Sequence, residues 1–266
     1  GGIVGSMLAY WLTELGQKNI VGLEKSTIIP SDIASTAHAS DFVYNTTHDK
    51  LGCWATDFSR KFYEDNGFFL KKGGLEICRK DDDARWEELK RKVASGKAFG
   101  TNVRLISAAE AKEKFPLLEE KSIRGAMWDP DAGLVTPRSQ DVVNFAVESA
   151  KEKGALTTYT DTPATGFEIE NGRITGVKTD KGIIKTDKVV IASGIWGPLI
   201  GKMAGVPIPL MPVEHPLLFF GPLPEIQGTK ELLVYPLLRD QGNSAYVRDT
   251  GRLHGGMLEW GFYEDK

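Results

Sequence analysis

The stretch that decides the fold is Gly1-Gly2-Ile3-Val4-Gly5, followed nineteen residues after Gly5 by Glu24. Glu24 directly follows the hydrophobic segment Ile20-Val21-Gly22-Leu23, which is typical of a short strand. In a βαβ unit this spacing places an acid against the ribose of a dinucleotide, while the glycines bring the backbone close to the pyrophosphate. Apolar residues at helical spacing up to Gly16 predict a helix of about eleven residues between the two points. Because the strand and first glycine that normally open this pattern are missing, we expect the chain to be part of a longer protein.

Composition and charge narrow the class of protein. With 266 residues, 41% of them hydrophobic and 26% charged, the chain can bury the core of one large or two ordinary domains. A net charge of −3 argues against a nucleic-acid partner, and no apolar run approaches the roughly 20 residues that a membrane crossing needs. The two cysteines, Cys53 and Cys78, form neither a CxxC pair nor a metal-like cluster. We therefore expect a protein without a metal or membrane partner, in a reducing compartment.

The rest of the chain has a mixed α/β order. Helical patterns cover residues 49–65, 81–99 and 107–115, and a further helix is predicted from Thr136-Pro137, with proline at its first position, to Lys153. From Ala164 the hydrophobic period changes to two, and Asn171-Gly172 predicts a hairpin.

The C-terminal half continues with strand patterns. The apolar run of residues 189–192 predicts a strand buried on both faces, and it leads into Ser193-Gly194, a turn that would bring backbone close to a ligand. From Pro207 onward, strands interrupted by prolines predict an antiparallel sheet, and residues 263–266 are interpreted as a charged tail.

In chain order, several segments resemble flavin-dependent dimethylglycine and sarcosine dehydrogenases and oxidases of the glycine and D-amino-acid oxidase superfamily. These segments are Gly2–Gly5 with Glu24, Ser35-Thr36-Ala37-His38, the Asn171-Gly172 hairpin followed by VVIASGIWG, and Pro212-Val213-Glu214-His215. The resemblance covers nearly the whole chain, and its most specific element is the Ser-Thr-x-His segment. It implies an α/β fold with a Rossmann-like FAD-binding domain and an antiparallel-sheet substrate domain, truncated at both ends. We expect the FAD-binding domain to comprise residues 1–75 and 140–205, and the substrate domain residues 76–139 and 206–266.

The resemblance also implies a cofactor site for FAD. In the family, the histidine that matches His38 carries the flavin covalently through the 8α carbon of the isoalloxazine. The family usually has glycine three residues later, where this sequence has Asp41, a carboxylate that could crowd or repel the flavin. The residues predicted to bind the cofactor are Gly2, Ile3, Val4, Gly5, Glu24, Lys25, Ser35, Thr36, Ala37, His38, Phe42, Ala164, Ser193 and Gly194.

Two further residues are predicted to be catalytic, because the family positions that match His215 and Tyr246 face the substrate. An imidazole titrates near neutral pH and could take a proton from the amine, while a tyrosine hydroxyl could orient it. Without the resemblance, each has an ordinary interpretation: His38 as a surface residue, His215 as a core histidine in an apolar strand, and Tyr246 as a strand aromatic. Arg248, two residues beyond Tyr246, could meet a substrate carboxylate or be an exposed strand arginine.

The expected activity is oxidation of the C–N bond of an N-methylated glycine, dimethylglycine or sarcosine, to an iminium with loss of a one-carbon unit. Expected partners are oxygen or an electron-transfer flavoprotein as acceptor, and tetrahydrofolate in a C-terminal domain outside this chain. The resemblance implies a bacterial cytoplasmic or a mitochondrial matrix location. Two alternatives stay open: an NAD-dependent dehydrogenase, which would also place Glu24 on a ribose, and a non-catalytic regulatory protein that keeps the flavin fold.

Overall fold

The computed structural model describes residues 1–263, which form six α-helices and fifteen strands. The helices are α1 (Ile3–Glu14), α2 (Lys50–Asp65), α3 (Asp83–Ala98), α4 (Ala108–Lys114), α5 (Ser139–Glu152) and α6 (Gly197–Met203). The strands are β1 (Ile20–Leu23), β2 (Phe42–Val43), β3 (Phe69–Lys71), β4 (Gly74–Arg79), β5 (Arg104–Ser107), β6 (Ile123–Asp129), β7 (Gly133–Val135), β8 (Leu156–Tyr159), β9 (Ala164–Glu170), β10 (Arg173–Thr179), β11 (Gly182–Lys185), β12 (Leu217–Phe220), β13 (Leu237–Asp240), β14 (Ala245–Asp249) and β15 (Leu258–Phe262). No helix in this described part is both long and apolar enough to cross a bilayer.

The chain folds as two units, and unit 1 comprises Gly1–Ala39 and Pro137–Val213. In unit 1, β1 pairs in parallel with β8, and α1 and α5 bury Ala9 and Val143 together with Leu156 of β8. Strands β9, β10 and β11 form a separate antiparallel sheet. The predicted hairpin at Asn171-Gly172 is confirmed, and φ of 51° at Asn171 and 74° at Gly172 are typical of a type I′ turn between β9 and β10.

The end of α1 is also as predicted. Gly16 has φ of 87°, and its N–H donates to the carbonyl of Thr13 while the N–H of Gln17 donates to that of Leu12. These two bonds form a Schellman motif, which requires the left-handed backbone that glycine adopts without strain. The helix therefore stops where the strand that carries Glu24 must begin.

Unit 2 comprises Ser40–Thr136 and the chain from Glu214 onward. Its main sheet has the strand order β12-β15-β14-β13-β4-β6-β5, antiparallel throughout except where β13 lies parallel to β4. Leu75, Ile106 and Val247 belong to the core on this sheet. A smaller antiparallel sheet has the order β2-β7-β3.

The division into units differs from the expected domain boundaries over residues 40–75. The expected FAD-binding domain included them, whereas the structure groups them with unit 2. The reason is strand pairing, since β2 and β3 both pair with β7, and β4 pairs with β6 and β13. The second boundary, expected near residue 140, lies at Pro137.

Two sequence predictions about unit 1 are wrong. Pro137 is not the first residue of a helix, because Arg138 is the extended N-cap, with φ of −153° and ψ of 159°, and α5 begins at Ser139. Residues 189–192 are not a strand buried on both faces, since no strand is assigned there and Val190 is 66% exposed. Apolar composition makes a strand only where a neighbour completes the hydrogen-bonded ladder, and none of the described strands pairs with this segment.

Candidate cofactor and substrate sites

The glycine turn at the start of unit 1 is closely surrounded. A Cβ at Gly1 would lie 2.7 Å from Glu24 Oε2, and one at Gly5 would lie 3.3 Å from the Cβ of Ala192. Gly2 is the N-cap of α1 and makes no side-chain capping bond, and the first turn of the helix carries no acidic residue. No carboxylate of the first turn therefore offsets the partial positive charge at this helix terminus. A diphosphate site requires such an uncompensated terminus.

Glu24 lies against this turn, as the spacing predicted. Its Oε2 is 3.0 Å from the Gly1 nitrogen, and its Oε1 accepts a 2.7 Å hydrogen bond from the N–H of Ser26. The backbone on either side is fixed, because the Glu24 N–H donates to Tyr159 and its carbonyl accepts from Thr162. A carboxylate has about four lone-pair sites, so Glu24 keeps acceptor capacity for the hydroxyls of a ribose.

The Ser-Thr-x-His segment also meets the glycine turn. Residues Ser35–His38 form a short 3₁₀ helix, and Thr36 Oγ1 accepts a 3.0 Å hydrogen bond from the N–H of Ile3, the first residue of α1. A Cβ at Gly2 would lie 3.4 Å from the same hydroxyl oxygen. Glu24 and Thr36 therefore converge on one helix terminus from different parts of the chain.

His38 is exposed, and Arg138 fixes the backbone on both sides of it. One nitrogen of Arg138, Nη2, donates to the carbonyls of Ala37 at 3.3 Å and Ala39 at 3.2 Å. Nothing in the sequence indicates this contact, because the N-cap of α5 is an arginine rather than a residue that usually caps helices. Arg138 is a site residue that sequence reasoning missed.

Three further residues predicted to bind the cofactor lie in unit 1 outside the glycine turn and the Ser-Thr-x-His segment: Lys25, Ser193 and Gly194. The Ser193 hydroxyl is buried and has no hydrogen-bond partner among residues 1–263, and Gly194 adopts the left-handed backbone with φ of 53°. Lys25 Nζ lies 3.4 Å from the ring centroid of Trp196 in the following 3₁₀ turn. A buried hydroxyl without a partner costs on the order of 1–3 kcal/mol, so a ligand that bonds to Ser193 would stabilise this segment.

These features fit the adenosine diphosphate part of FAD. A glycine turn, a helix N-terminus without an acid in its first turn and a carboxylate beside it are the groups that bind a dinucleotide, and the Ser193 hydroxyl is available to a ligand. The other predicted cofactor residues of unit 1 are dispersed: Ile3 packs on the α1–α5 core, Val4 is exposed on α1, and Ala164 begins β9. Their roles toward FAD, and that of Phe42 in unit 2, stay predictions.

In unit 2, Tyr246 lies at the centre of an aromatic cluster, here defined as Phe42, Tyr44, His215, Tyr246 and Tyr263. Tyr246 is on β14, as the strand pattern predicted, and its hydroxyl accepts a 3.2 Å hydrogen bond from Ser40 Oγ. Its ring lies over Gly261 of β15, where an added Cβ would be 2.0 Å from the ring. Glycine at position 261 is therefore what makes room for the ring of Tyr246.

Tyr263 connects the two predicted catalytic residues. Its ring centroid is 4.7 Å from that of His215 and 5.6 Å from that of Tyr246. On the other side of the cluster, Phe42 is 5.2 Å from Tyr246 and 6.5 Å from Tyr44. Sequence reasoning missed Tyr263 because it assigned residues 263–266 to a charged tail, of which 264–266 lie outside the described residues.

The prediction that His215 lies in an apolar strand is wrong. Residues 207–216 form no strand, and His215 is exposed, two residues before β12 begins. The prolines at 212 and 216 lack the N–H groups that a ladder requires, which accounts for the interruption. His215 is therefore not a buried core histidine, and its ring faces Tyr263 from an exposed segment.

Arg239 of β13 is a second residue of this region that the sequence did not indicate. Its Cζ lies 4.0 Å from the ring centroid of Tyr44, whose buried hydroxyl donates to the carbonyl of Leu75 at 3.1 Å. Burial raises the pKa of Tyr44, and the Arg239 charge opposes that shift. Burial and the nearby Tyr246 likewise raise the pKa of Tyr263, again with Arg239 acting in the opposite direction.

Arg248 cannot meet a substrate carboxylate and is not an exposed strand arginine. It is buried on β14, and its Nη2 lies 2.5 Å from Glu259 Oε2 on β15. Elsewhere in residues 1–263, no group of three or more His, Cys, Asp or Glu side chains is placed to hold a metal ion.

Comparison with known proteins identifies the family to which the chain belongs. The family model described as FAD dependent oxidoreductase (DAO) matches residues 1–265, and the chain belongs to this family. The predicted resemblance and the predicted α/β fold are thereby confirmed, and FAD is the cofactor of the family. The covalent bond through His38 stays a prediction.

Individual relatives are similar over nearly the whole chain. Human mitochondrial sarcosine dehydrogenase is 28% identical over 99% of this chain, and human mitochondrial dimethylglycine dehydrogenase is 29% identical over 100% of it. The chain spans only 28% and 30% of the lengths of these two proteins. Among solved structures, L-proline dehydrogenase from P. horikoshii superposes with a TM-score of 0.82 and 31% identity, covering 97% of this chain and 67% of that one.

Proposed function

We propose that this chain supplies the FAD-binding site and part of the substrate site of an enzyme that oxidises the C–N bond of an N-methylated glycine, dimethylglycine or sarcosine. Unit 1 is the FAD-binding part and unit 2 the substrate part. The observation that carries the proposal is Tyr263, whose ring contacts both His215 and Tyr246. The resemblance points to these two residues in separate segments of the chain, and their shared neighbour supports a common role.

The relatives support the same substrate class. Sarcosine, dimethylglycine and L-proline, the substrates that their names give, are all amino acids whose nitrogen carries an additional alkyl substituent. A site for such molecules needs a group that keeps the amine unprotonated, apolar contacts for the alkyl carbons, and a cation for the carboxylate. Unit 2 contains side chains of all three kinds.

Each residue of the site would have a separate role in the oxidation of the amine. When bound, FAD supplies the two-electron acceptor for the C–H bond beside nitrogen. His215 accepts the proton of the substrate ammonium, which frees the nitrogen lone pair to form the iminium as the N-methyl carbon is oxidised. Tyr246, whose oxygen accepts from Ser40, keeps its own proton to donate to the substrate. The aromatic rings exclude water from the amine.

In unit 1, Gly2 and the start of α1 hold the diphosphate, Glu24 binds the adenosine ribose, and His38 bonds to the flavin. The proposal also includes an electron acceptor, which is oxygen or an electron-transfer flavoprotein, and tetrahydrofolate bound in a further domain. The proposed location is the bacterial cytoplasm or the mitochondrial matrix.

The test is flavin reduction in the full-length protein. Anaerobic N,N-dimethylglycine or sarcosine should bleach the flavin absorbance, and His215→Ala and Tyr246→Phe should slow bleaching by about 10- to 1000-fold. Tyr63→Phe, in the same unit but on α2, is the matched control and should change nothing. Flavin bands that neither amine bleaches would favour the regulatory alternative, and a colourless protein that uses a nicotinamide would favour the NAD-dependent one. Acid precipitation tests His38: a yellow pellet in the wild type and a colourless one in His38→Ala are expected.

A further inference from the structure

The hydroxyl of Tyr246 is held by a side chain from the start of unit 2. Ser40 Oγ lies 3.2 Å from the Tyr246 oxygen, and Ser40 is only 9% exposed. Within residues 1–263, this is the only hydrogen bond of the Tyr246 hydroxyl. The two residues are 206 positions apart in the chain, so the fold of unit 2 brings them together.

The backbone that carries Ser40 is anchored to β7. Asp41, the next residue, has φ of 61°, and its carbonyl accepts a 2.8 Å hydrogen bond from the N–H of Val135. Phe42 then begins β2 and pairs with Leu134 of β7. Because these bonds fix the chain directly after Ser40, its hydroxyl is presented to Tyr246 from an ordered backbone.

The ring of Tyr246 is fixed as well. The ring of Phe42 meets it edge-on, with centroids 5.2 Å apart and an interplanar angle of 69°. On another side, a Cβ at Gly261 would lie 2.0 Å from the ring. Packing therefore sets the position of the phenol oxygen, and the direction of its single O–H proton is the freedom that remains.

We infer that Ser40 is a positioning residue, which donates its proton to the Tyr246 oxygen and so directs the Tyr246 proton toward the substrate. This inference rests on the proposed function and names the group that sets the role of Tyr246 within it. A serine hydroxyl can donate or accept, so it can donate to the phenol oxygen while the phenol donates to a ligand. Such a chain of hydrogen bonds polarises its members, which makes the phenol a stronger donor.

Two other roles for Ser40 make different predictions. A purely structural serine would stabilise the start of β2, and its loss would lower stability without slowing the reaction. Ser40 is also two residues after His38 in the chain, so a substitution could act through the loop that is proposed to carry the flavin. An effect of that kind would not depend on the hydroxyl of Tyr246.

The experiment measures the limiting rate of anaerobic flavin reduction in the FAD-loaded full-length enzyme, with N,N-dimethylglycine and with sarcosine. Ser40→Ala should slow reduction by about 2- to 10-fold, because one neutral hydrogen bond is lost. Ser40→Thr keeps the hydroxyl and should stay within about twofold of the wild type. In a Tyr246→Phe background, Ser40→Ala should cause no further slowing, because no phenol proton is left to direct.

Ser59→Ala is the matched control, since it removes a serine hydroxyl of α2 that donates to the carbonyl of Ala55 at 2.9 Å. It should leave the rate unchanged. The fraction of flavin that stays with the acid-precipitated protein is measured in parallel, and Ser40→Ala should not alter it.

Two results would overturn the inference. One is a rate in Ser40→Ala that equals or exceeds that of the wild type. The other is slowing by the same factor with and without the Tyr246 hydroxyl, and a lower fraction of acid-stable flavin would then assign the effect to the loop of His38. If Ser40→Thr does not fold, the cycle of Ser40→Ala and Tyr246→Phe decides. A wild type whose flavin neither amine bleaches would refute the proposed function, and this role with it.

Discussion

The guanidinium of Arg248 lies 2.5 Å from the carboxylate of Glu259, and only 4% of either side chain is exposed. The two residues are directly opposite in the register of β14 and β15. The pair is not fully satisfied, since Arg248 Nε and Glu259 Oε1 have no hydrogen-bond partner in the part of the chain that the structure describes. Such a pair contributes little net stability, but removing one partner leaves a buried charge alone.

We therefore expect Arg248→Met and Glu259→Leu, each alone, to lower the free energy of unfolding by about 3–5 kcal/mol, and the two together to lower it much less. Urea unfolding of the wild type, both single variants and the double variant closes the cycle. If the single and double variants lose equal stability, the two charges do not compensate each other. Arg104→Gln, which breaks an exposed pair with Glu110, is the control and should cost under about 1 kcal/mol.

The backbone of His38 is expected to depend on Arg138. With Nη2 bound to the carbonyls of Ala37 and Ala39, the residue between them is held in one orientation. Under the proposed covalent attachment, Arg138→Met should lower the fraction of flavin that stays with the acid-precipitated protein, while unit 1 still binds FAD reversibly. The measurement is the ratio of flavin absorbance in the acid pellet to that in the native protein.

Arg173→Met is the matched control, because Arg173 lies on the exposed hairpin of the same unit. It should leave the ratio unchanged. An undiminished ratio in Arg138→Met would show that the attachment does not need this contact. A loss of all flavin, bound and free, would instead indicate that Arg138 supports the fold of unit 1.

The backbone conformation at position 41 explains why this chain can have aspartate where the family usually has glycine. Its φ is 61°, in the left-handed region where glycine is strain-free and aspartate is among the residues that tolerate it. We expect Asp41→Gly to be more stable than Asp41→Ala by about 1 kcal/mol, because both remove the carboxylate and only alanine keeps a Cβ in that region. Thermal unfolding of the two variants is the measurement, and equal stability would show that the backbone relaxes. Acid-stable flavin that rises in Asp41→Gly would show that the carboxylate hinders the bond.

The sequence predicted most of the helix ends, turns and strands that depend on neighbouring residues in the chain. The stop of α1 at Gly16, the Asn171-Gly172 turn and the strand of Tyr246 follow from backbone preference and hydrophobic period, which act over a few residues. The convergence of Glu24 on the glycine turn was also predictable, because a short helix and a short strand fix the distance between them.

The errors concern properties that depend on distant neighbours. An apolar run such as residues 189–192 is a strand only if another strand pairs with it, and the sequence of the run does not contain that information. Arg248 and Arg239 are both strand arginines opposite a glutamate, and only the ion pair of Glu76 with Lys92 of α3 distinguishes them, since Glu259 is paired with Arg248. Arg138 was missed for the same reason, since its partners lie about a hundred residues away in the chain.

Asp249 should make the stability of the protein depend on pH. It is fully buried at the end of β14 and accepts hydrogen bonds from the backbone N–H groups of Val234, Tyr235 and Gly251. Burial raises the pKa of this carboxyl above its ordinary value of 3.8, although the three amides oppose the shift. The folded protein therefore binds this proton more tightly than the unfolded chain does.

A raised pKa in the folded state fixes the sign of the effect. The stabilising contribution is complete below about pH 3.8 and is lost as the pH rises through the folded-state pKa. Asp249→Asn cannot titrate, and it loses acceptor capacity toward the three amides, so it should be less stable by about 1–3 kcal/mol at low pH. The deficit should shrink as the pH is raised toward about 7. Urea unfolding of both proteins over this range measures the difference, and a deficit that grows with pH would mean that the folded state prefers the ionised carboxylate.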